Sequence, residues 1–150
     1  MSETVLVVDH DMIASAIVRH ALSPRGIRVI ERSSGLAALL WLESHGADLI
    51  IVEASLPEMS GPDLCRQIRA TERARHVPVL MLSKRDRFAD RAEAQAAGAD
   101  LFLVKPLSAS RLIQLVQRFL ILRRFEAQRA ELVAISGTAA RAARHAAGRS

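Results

Sequence analysis

Cysteine appears once in the 150 residues, at Cys65. No disulfide framework can form within the chain, and cysteine-based metal fingers are excluded. A reducing, cytoplasmic setting is expected. Long apolar runs are missing too. Stretches such as Leu49-Ile50-Ile51-Val52 fall far short of the roughly 20 residues that span a bilayer, so no membrane role is expected. Met1-Ser2-Glu3-Thr4 carries no basic segment, so no signal peptide is expected either. Neither a GxxxxGK[ST] loop nor a GxGxxG loop occurs, which argues against a nucleotide kinase or a dehydrogenase. No internal repeat is visible. Aromatic residues make up 3% of the chain, and none is interleaved with the arginines after Phe125. Stacking platforms of the kind that bind single-stranded nucleic acid are therefore absent from that region.

Half of the residues are hydrophobic and a quarter are charged, with a mean hydropathy of +0.15. That composition excludes wholesale disorder and suits one domain with its own core. Charge is uneven. Residues 1–110 hold 13 basic and 14 acidic side chains (net −1), while residues 111–150 hold 8 and 2 (net +6). The basic character belongs to the C-terminal end alone. Nucleic-acid binding through that end is kept as a second alternative, to be separated from the others by its steep salt dependence.

Short apolar runs alternate with amphipathic stretches. Val5–Val8 reads as a strand, followed by a helix with Ile13, Ile17 and Ala21 at helical spacing. Residues Ile27–Ile30 read as an edge strand. A helix carrying Leu36, Leu39 and Leu40 follows, opened by Ser33-Ser34-Gly35 and stopped at Gly46. Asp48–Val52 reads as a strand buried on both faces. Ser60-Gly61-Pro62 starts a helix with Leu64 and Ile68 inward, and Cys65 beside them as an inert packed thiol. Val77–Leu82 is a fourth strand, residues 86–97 a helix closed by Gly98, and Leu101–Val104 a fifth strand. Ser108 caps a last helix bearing Leu112, Leu115, Val116 and Phe119. Five such alternations predict an α/β fold with a parallel sheet covered on both faces. Ligand chemistry in such sheets collects at the carboxyl ends of the strands. Those ends carry Asp9, Glu53, Ser83 and Lys105. Carboxylates there can hold a hard divalent cation, and a lysine with a hydroxyl can pair with phosphoryl oxygens.

Four blocks occur in order: Val7-Val8-Asp9-His10-Asp11, Asp48 to Gly61 with Glu53 and Pro57, Pro78 to Ser83, and Gly98 to Pro106. In order and spacing they resemble the CheY-like receiver domain of two-component response regulators, over residues from about 4 to about 122. The resemblance implies a flavodoxin-like, doubly wound (βα)5 fold with strand order 2-1-3-4-5. It implies a phosphoacceptor at Glu53 and an acidic, Mg²⁺-holding pocket at Asp9 and His10. Ser83 and Lys105 would bind phosphoryl oxygens, Lys105-Pro106 would be a cis peptide, and Phe102 would be the aromatic residue that moves on activation. Receivers commonly meet partners through the fourth helix, fifth strand and fifth helix, to which Arg85, Arg87, Phe88 and Arg91 belong.

Two positions depart from that pattern. Glu stands at 53 where the family has Asp, and His stands at 10 where the family has a second acid. The extra methylene at Glu53 displaces the carboxylate by about one bond, and a misplacement of about 1 Å can cost on the order of 100-fold in rate. The longer carboxylate can instead reach Lys105 and imitate a phosphorylated aspartate. Histidine is a poor Mg²⁺ ligand. If protonated, His10 could pair with Glu53 in place of the metal. A transition-metal site from Asp9, His10 and Glu53 is an outside alternative. Asp11 is expected to cap the first helix.

The expectation is a degenerate receiver, not an enzyme, with weakened Mg²⁺ binding. It would signal by protein contact with a histidine kinase or an output domain. The first alternative is a working receiver that phosphorylates Glu53 or Ser55. The expected division is 1–122 receiver, 123–136 extension of the last helix, and 137–150 basic mobile tail, with Gly137 as the first breaker. Leu122, Phe125, Leu132 and Ile135 form a heptad fragment that could serve a homodimer.

Overall fold

The three central strands explain the topology. In the computed structural model, which describes residues 2–148, β1 (Thr4–Val8), β3 (Leu49–Glu53) and β4 (Val79–Ser83) are buried at almost every position. Successive residues point to opposite faces of a strand, so a strand covered on both faces must be apolar throughout. Leu6, Val8, Ile50, Val52, Val79 and Met81 join one core cluster. Val5, Val7, Leu49, Ile51, Leu80 and Leu82 join the other. The edge strands β2 (Arg28–Arg32) and β5 (Leu101–Val104) are only partly buried. All neighbours pair in parallel, in the order β2-β1-β3-β4-β5, as the resemblance implies.

The helices α2 (Gly35–Leu42), α3 (Gly61–Ala70) and α4 (Phe88–Ala96) cover the first cluster. The helices α1 (Met12–Leu22) and α5 (Ala109–Ala147) cover the second. Leu64, Cys65 and Ile68 of α3 are fully buried, and burial pushes the Cys65 thiol up in pKa. Trp41 is buried and stacks on His45. Lys105-Pro106 is cis. Among the described residues no helix is long and apolar enough to cross a membrane.

Two helix faces are left open by the sequence, and one helix end differs from expectation. In α1 the inward stripe is Ser15, Val18 and Leu22, while Ile13 and Ile17 are exposed. The helix has apolar residues on more than one side, so spacing alone does not select the buried stripe. In α2, Ala38, Trp41 and Leu42 are buried and Leu36 and Leu40 are exposed. That helix is apolar all round and gives its period no contrast. In α5 the helix does not break at Gly137 but runs on to Ala147. A single interior glycine costs about 1 kcal/mol relative to alanine, and the alanines that follow are the best helix formers. Leu120 is the last buried residue of α5. Arg149 and Ser150 of the expected tail lie outside the described residues.

Gly61, at the first turn of α3, lies against the end of β3. A Cβ added there would sit 2.6 Å from the Glu53 carbonyl oxygen and 2.7 Å from the Ala54 Cα. Both are backbone atoms with no room to yield. Gly61→Ala is expected to lower the unfolding free energy by about 1–3 kcal/mol. Gly46→Ala, whose Cβ would meet nothing within 4 Å, should change it by less than about 0.5 kcal/mol. Urea denaturation of the two variants checks the contrast.

Candidate functional site

The strand order reverses between β1 and β3, and the carboxyl ends of these strands open a crevice there. Asp9 follows β1 and is buried. Its Oδ1 accepts a hydrogen bond from the Asp11 N–H at 2.9 Å, and its Oδ2 accepts one from Lys105 Nζ at 2.9 Å. Glu53 closes β3 with 4% of its surface exposed. Its Oε1 accepts a long hydrogen bond from the Ser55 N–H, at 3.4 Å. Its Oε2 lies 2.5 Å from Lys105 Nζ as an ion pair. The alignment of that pair is outside hydrogen-bond geometry, so Oε2 is a buried oxygen with a charge partner but no hydrogen bond.

One ammonium therefore serves two buried carboxylates. Burial by itself would lower the Lys105 pKa. The hydrogen bond to Asp9 and the negative charges of Asp9 and Glu53 outweigh it, and the ammonium is held above its ordinary range. Lys105 reaches this point because its backbone N–H bonds the Ser83 carbonyl at 2.7 Å, tying it to β4. Ser83 is buried, and its Oγ accepts from the Arg85 N–H at 3.0 Å.

The remaining candidates lie around this centre. His10 is on the rim, with Nδ1 3.8 Å from Asp9 Oδ1. It does not pair with Glu53; Lys105 occupies that carboxylate instead. Asp11 caps α1 by accepting from the N–H groups of Ala14 and Ile13, and these bonds lower its pKa. Ser55 lines the same crevice, a cavity of about 600 Å³ that also touches Ser83 and Phe102. The guanidinium of Arg91 lies 5.1 Å above the Phe102 ring and is held by Asp86 Oδ1, 2.5 Å from Nε. Arg85, Arg87 and Phe88 are exposed on the outer surface, Phe88 at 87%. Sequence reading placed Arg91 with this outer group and missed its contact with Phe102. Asp86 and Arg91 are five residues apart, a spacing outside the usual helical pair rules, so no local signal marks the link.

Among the described residues no three His, Cys, Asp or Glu side chains converge, which removes the transition-metal alternative of Asp9, His10 and Glu53. Mg²⁺ takes oxygen ligands, and the two carboxylates that could supply them are both held by Lys105.

Comparison with known proteins agrees with this architecture. The family model "Response regulator receiver domain" matches residues 5–117. The polar-differentiation response regulator DivK of Brucella ovis is 28% identical over 120 residues, covering 80% of this chain and 98% of DivK. The structure of the chemotaxis response regulator CheY4 of Vibrio cholerae superposes with a TM-score of 0.75 at 28% identity, covering 79% of this chain and 99% of that one. The receiver domain of the sensor histidine kinase PA1611 of Pseudomonas aeruginosa, solved with a magnesium ion coordinated in its active-site cleft, gives a TM-score of 0.74 at 28% identity over 80% of this chain and 98% of that one. The chain belongs to the response regulator receiver family.

Removing Lys105 would leave two buried carboxylates without a cation. Lys105→Met is expected to destabilise the fold by about 3–5 kcal/mol. The pH dependence has a defined sign. A lysine whose pKa is raised on folding contributes stability that is fully present below the unfolded value, about 10.4, and lost as pH rises through the folded value. Chemical denaturation from pH 9 upward should show the native chain losing stability above the ordinary lysine range, with that loss absent in Lys105→Met.

Proposed function

We propose that this receiver signals by protein contact, without a covalent switch. Receivers are signalling modules that interact with kinases and output domains. The observation that carries the reading is the ion pair between Glu53 Oε2 and Lys105 Nζ at 2.5 Å. At the position the family resemblance assigns to the phosphoacceptor, this chain holds a carboxylate one methylene longer, already neutralised by the lysine that would otherwise meet a phosphoryl group. Phosphoryl transfer depends on in-line positioning and on a cation to neutralise developing charge. Glu53 alters the first, and the capture of both carboxylates by Lys105 weakens the second. Mg²⁺ binding is accordingly weak, and His10 adds no oxygen donor.

The outward part of the module is the start of α4 and the loop before it, where Arg85, Arg87 and Phe88 are open to a partner, Arg85 at the edge of the crevice. An exposed phenylalanine among arginines has the composition of an interface anchor. Its partner is another signalling protein of the cytoplasm, a histidine kinase or an output domain. Phe102 and Arg91 lie between this surface and the Glu53 crevice.

Intact-protein mass after incubation with Mg²⁺ and acetyl phosphate tests this directly. The native chain is expected to gain no phosphoryl mass, while Glu53→Asp gains one phosphoryl group. Phosphorylation of the native chain, on Glu53 or on Ser55, would overturn the proposal in favour of a working receiver.

A further inference from the structure

The length of α5 is unexplained by the receiver. Beyond Leu120 the helix buries nothing further, yet it continues to Ala147. From Arg124 to Gly148 every residue is exposed except the partly covered Gly137. Large apolar side chains remain in water there: Ile121, Phe125, Leu132 and Ile135 are 47–64% exposed.

Those four residues share a seam. Ile121, Phe125, Gln128, Leu132 and Ile135 are separated by alternating steps of four and three residues, and the same steps lead on through Ala139, Ala142 and Ala146. A sustained 3.5-residue repeat is the signature of a two-stranded coiled coil. Arg124, Arg129 and Glu131 flank the seam, which takes Ile121 in place of Leu122; Leu122 and Val133 lie beside it and are exposed as well. A helix lying on a lipid surface needs a broad apolar face with bulky residues along its length, and the alanine half of this seam has little to insert.

We propose that the seam pairs with the same seam of a second copy of this chain, in antiparallel orientation. Side-chain size decides the orientation. A parallel pair would stack Ile121, Phe125 and Leu132 each on itself at one end and three alanine layers at the other, so the helices could not keep one spacing. It would also set Arg124 of one copy against Arg129 of the other. An antiparallel pair with its dyad between residues 133 and 134 sets Ile121 opposite Ala146, Phe125 opposite Ala142, Gln128 opposite Ala139, and Leu132 opposite Ile135. Three of these layers join a large side chain to a small one and the fourth joins Leu to Ile, which evens the spacing along the seam. The seam is about 39 Å long and about 10 Å wide, so the pair hides on the order of 800 Å² in projection. That is below the roughly 1,200–2,000 Å² of stable specific interfaces and in the range of weak, transient ones. The dimer is accordingly concentration-dependent, with the two receiver bodies at opposite ends of a shared rod.

Sedimentation equilibrium of the full chain, from a few to a few hundred micromolar, reads the association. Leu132→Glu should weaken it at least tenfold with thermal unfolding of the body unchanged, because Leu132 is exposed on the helix outside the core. Orientation is read by mild oxidation. Gln128→Cys mixed with Ala139→Cys should cross-link to a heterodimer, while Gln128→Cys alone should not; the native Cys65 is buried and does not compete. A chain that stays monomeric throughout, a dimer indifferent to Leu132→Glu, or a 128–128 cross-link would each overturn the proposal. So would a monomer that instead co-sediments with phosphatidylserine-containing vesicles. Each readout is independent of phosphoryl transfer, so this failure is distinct from failure of the receiver reading.

Discussion

One lysine between two buried carboxylates is the constraint on which the site depends. A parallel sheet gathers its strand ends in one crevice, and here two of those ends carry acids. Two unit charges about 4 Å apart repel by about 4 kcal/mol at an effective dielectric of 20, and each carboxylate also loses hydration. Some cation must sit between them. The Lys105 ammonium does so, reaching Asp9 at 2.9 Å and Glu53 at 2.5 Å. The cis Lys105-Pro106 peptide follows the same residue, and its backbone N–H is tied to Ser83. β5, β3 and β1 thus converge on a single ammonium, and β4 holds its backbone.

This arrangement bears on signalling because it pairs both acids beside the crevice with a cation of the chain itself. The receivers to which the chain is similar include one solved with magnesium coordinated in its cleft. Here the corresponding acids are held by a side chain that cannot diffuse away. The Glu53 carboxylate extends from the end of β3 to the lysine. On the far side of the cavity, Arg91 covers Phe102 and is itself held by Asp86. Phe102 and Glu53 therefore each have a cationic side chain of the same molecule against them.

Much of this was legible in the sequence. The mainly apolar runs at Val5–Val8, Asp48–Val52 and Val77–Leu82 marked strands, and the unbroken run before Glu53 marked one covered on both faces; the order of the strands came from the family resemblance. The polar residue after each run located the crevice. Helix faces were harder to read. Met12, Ile13 and Ile17 are apolar yet exposed, and only the position of α1 on the sheet selects Ser15, Val18 and Leu22 instead. Ion-pair partners were hardest. Both His10 and Lys105 were offered by the sequence as partners for Glu53, and the path of β5, distant in sequence, selects Lys105. The cover of Phe102 by Arg91 arises in the same way, from elements brought together by the sheet. The continuation of α5 past Gly137 rests on local helix preference that a single glycine does not cancel.

The central claim is that Lys105 is the resident cation of the site. Amide NMR during a MgCl₂ titration tests it most directly, with the Asp11 and Ser55 N–H groups as reporters because each donates to one of the two carboxylates. The account predicts no saturable shift at either amide up to millimolar Mg²⁺. Saturable, coincident shifts of both amides at submillimolar Mg²⁺ would contradict it, by showing that the metal displaces the lysine from Asp9 and Glu53.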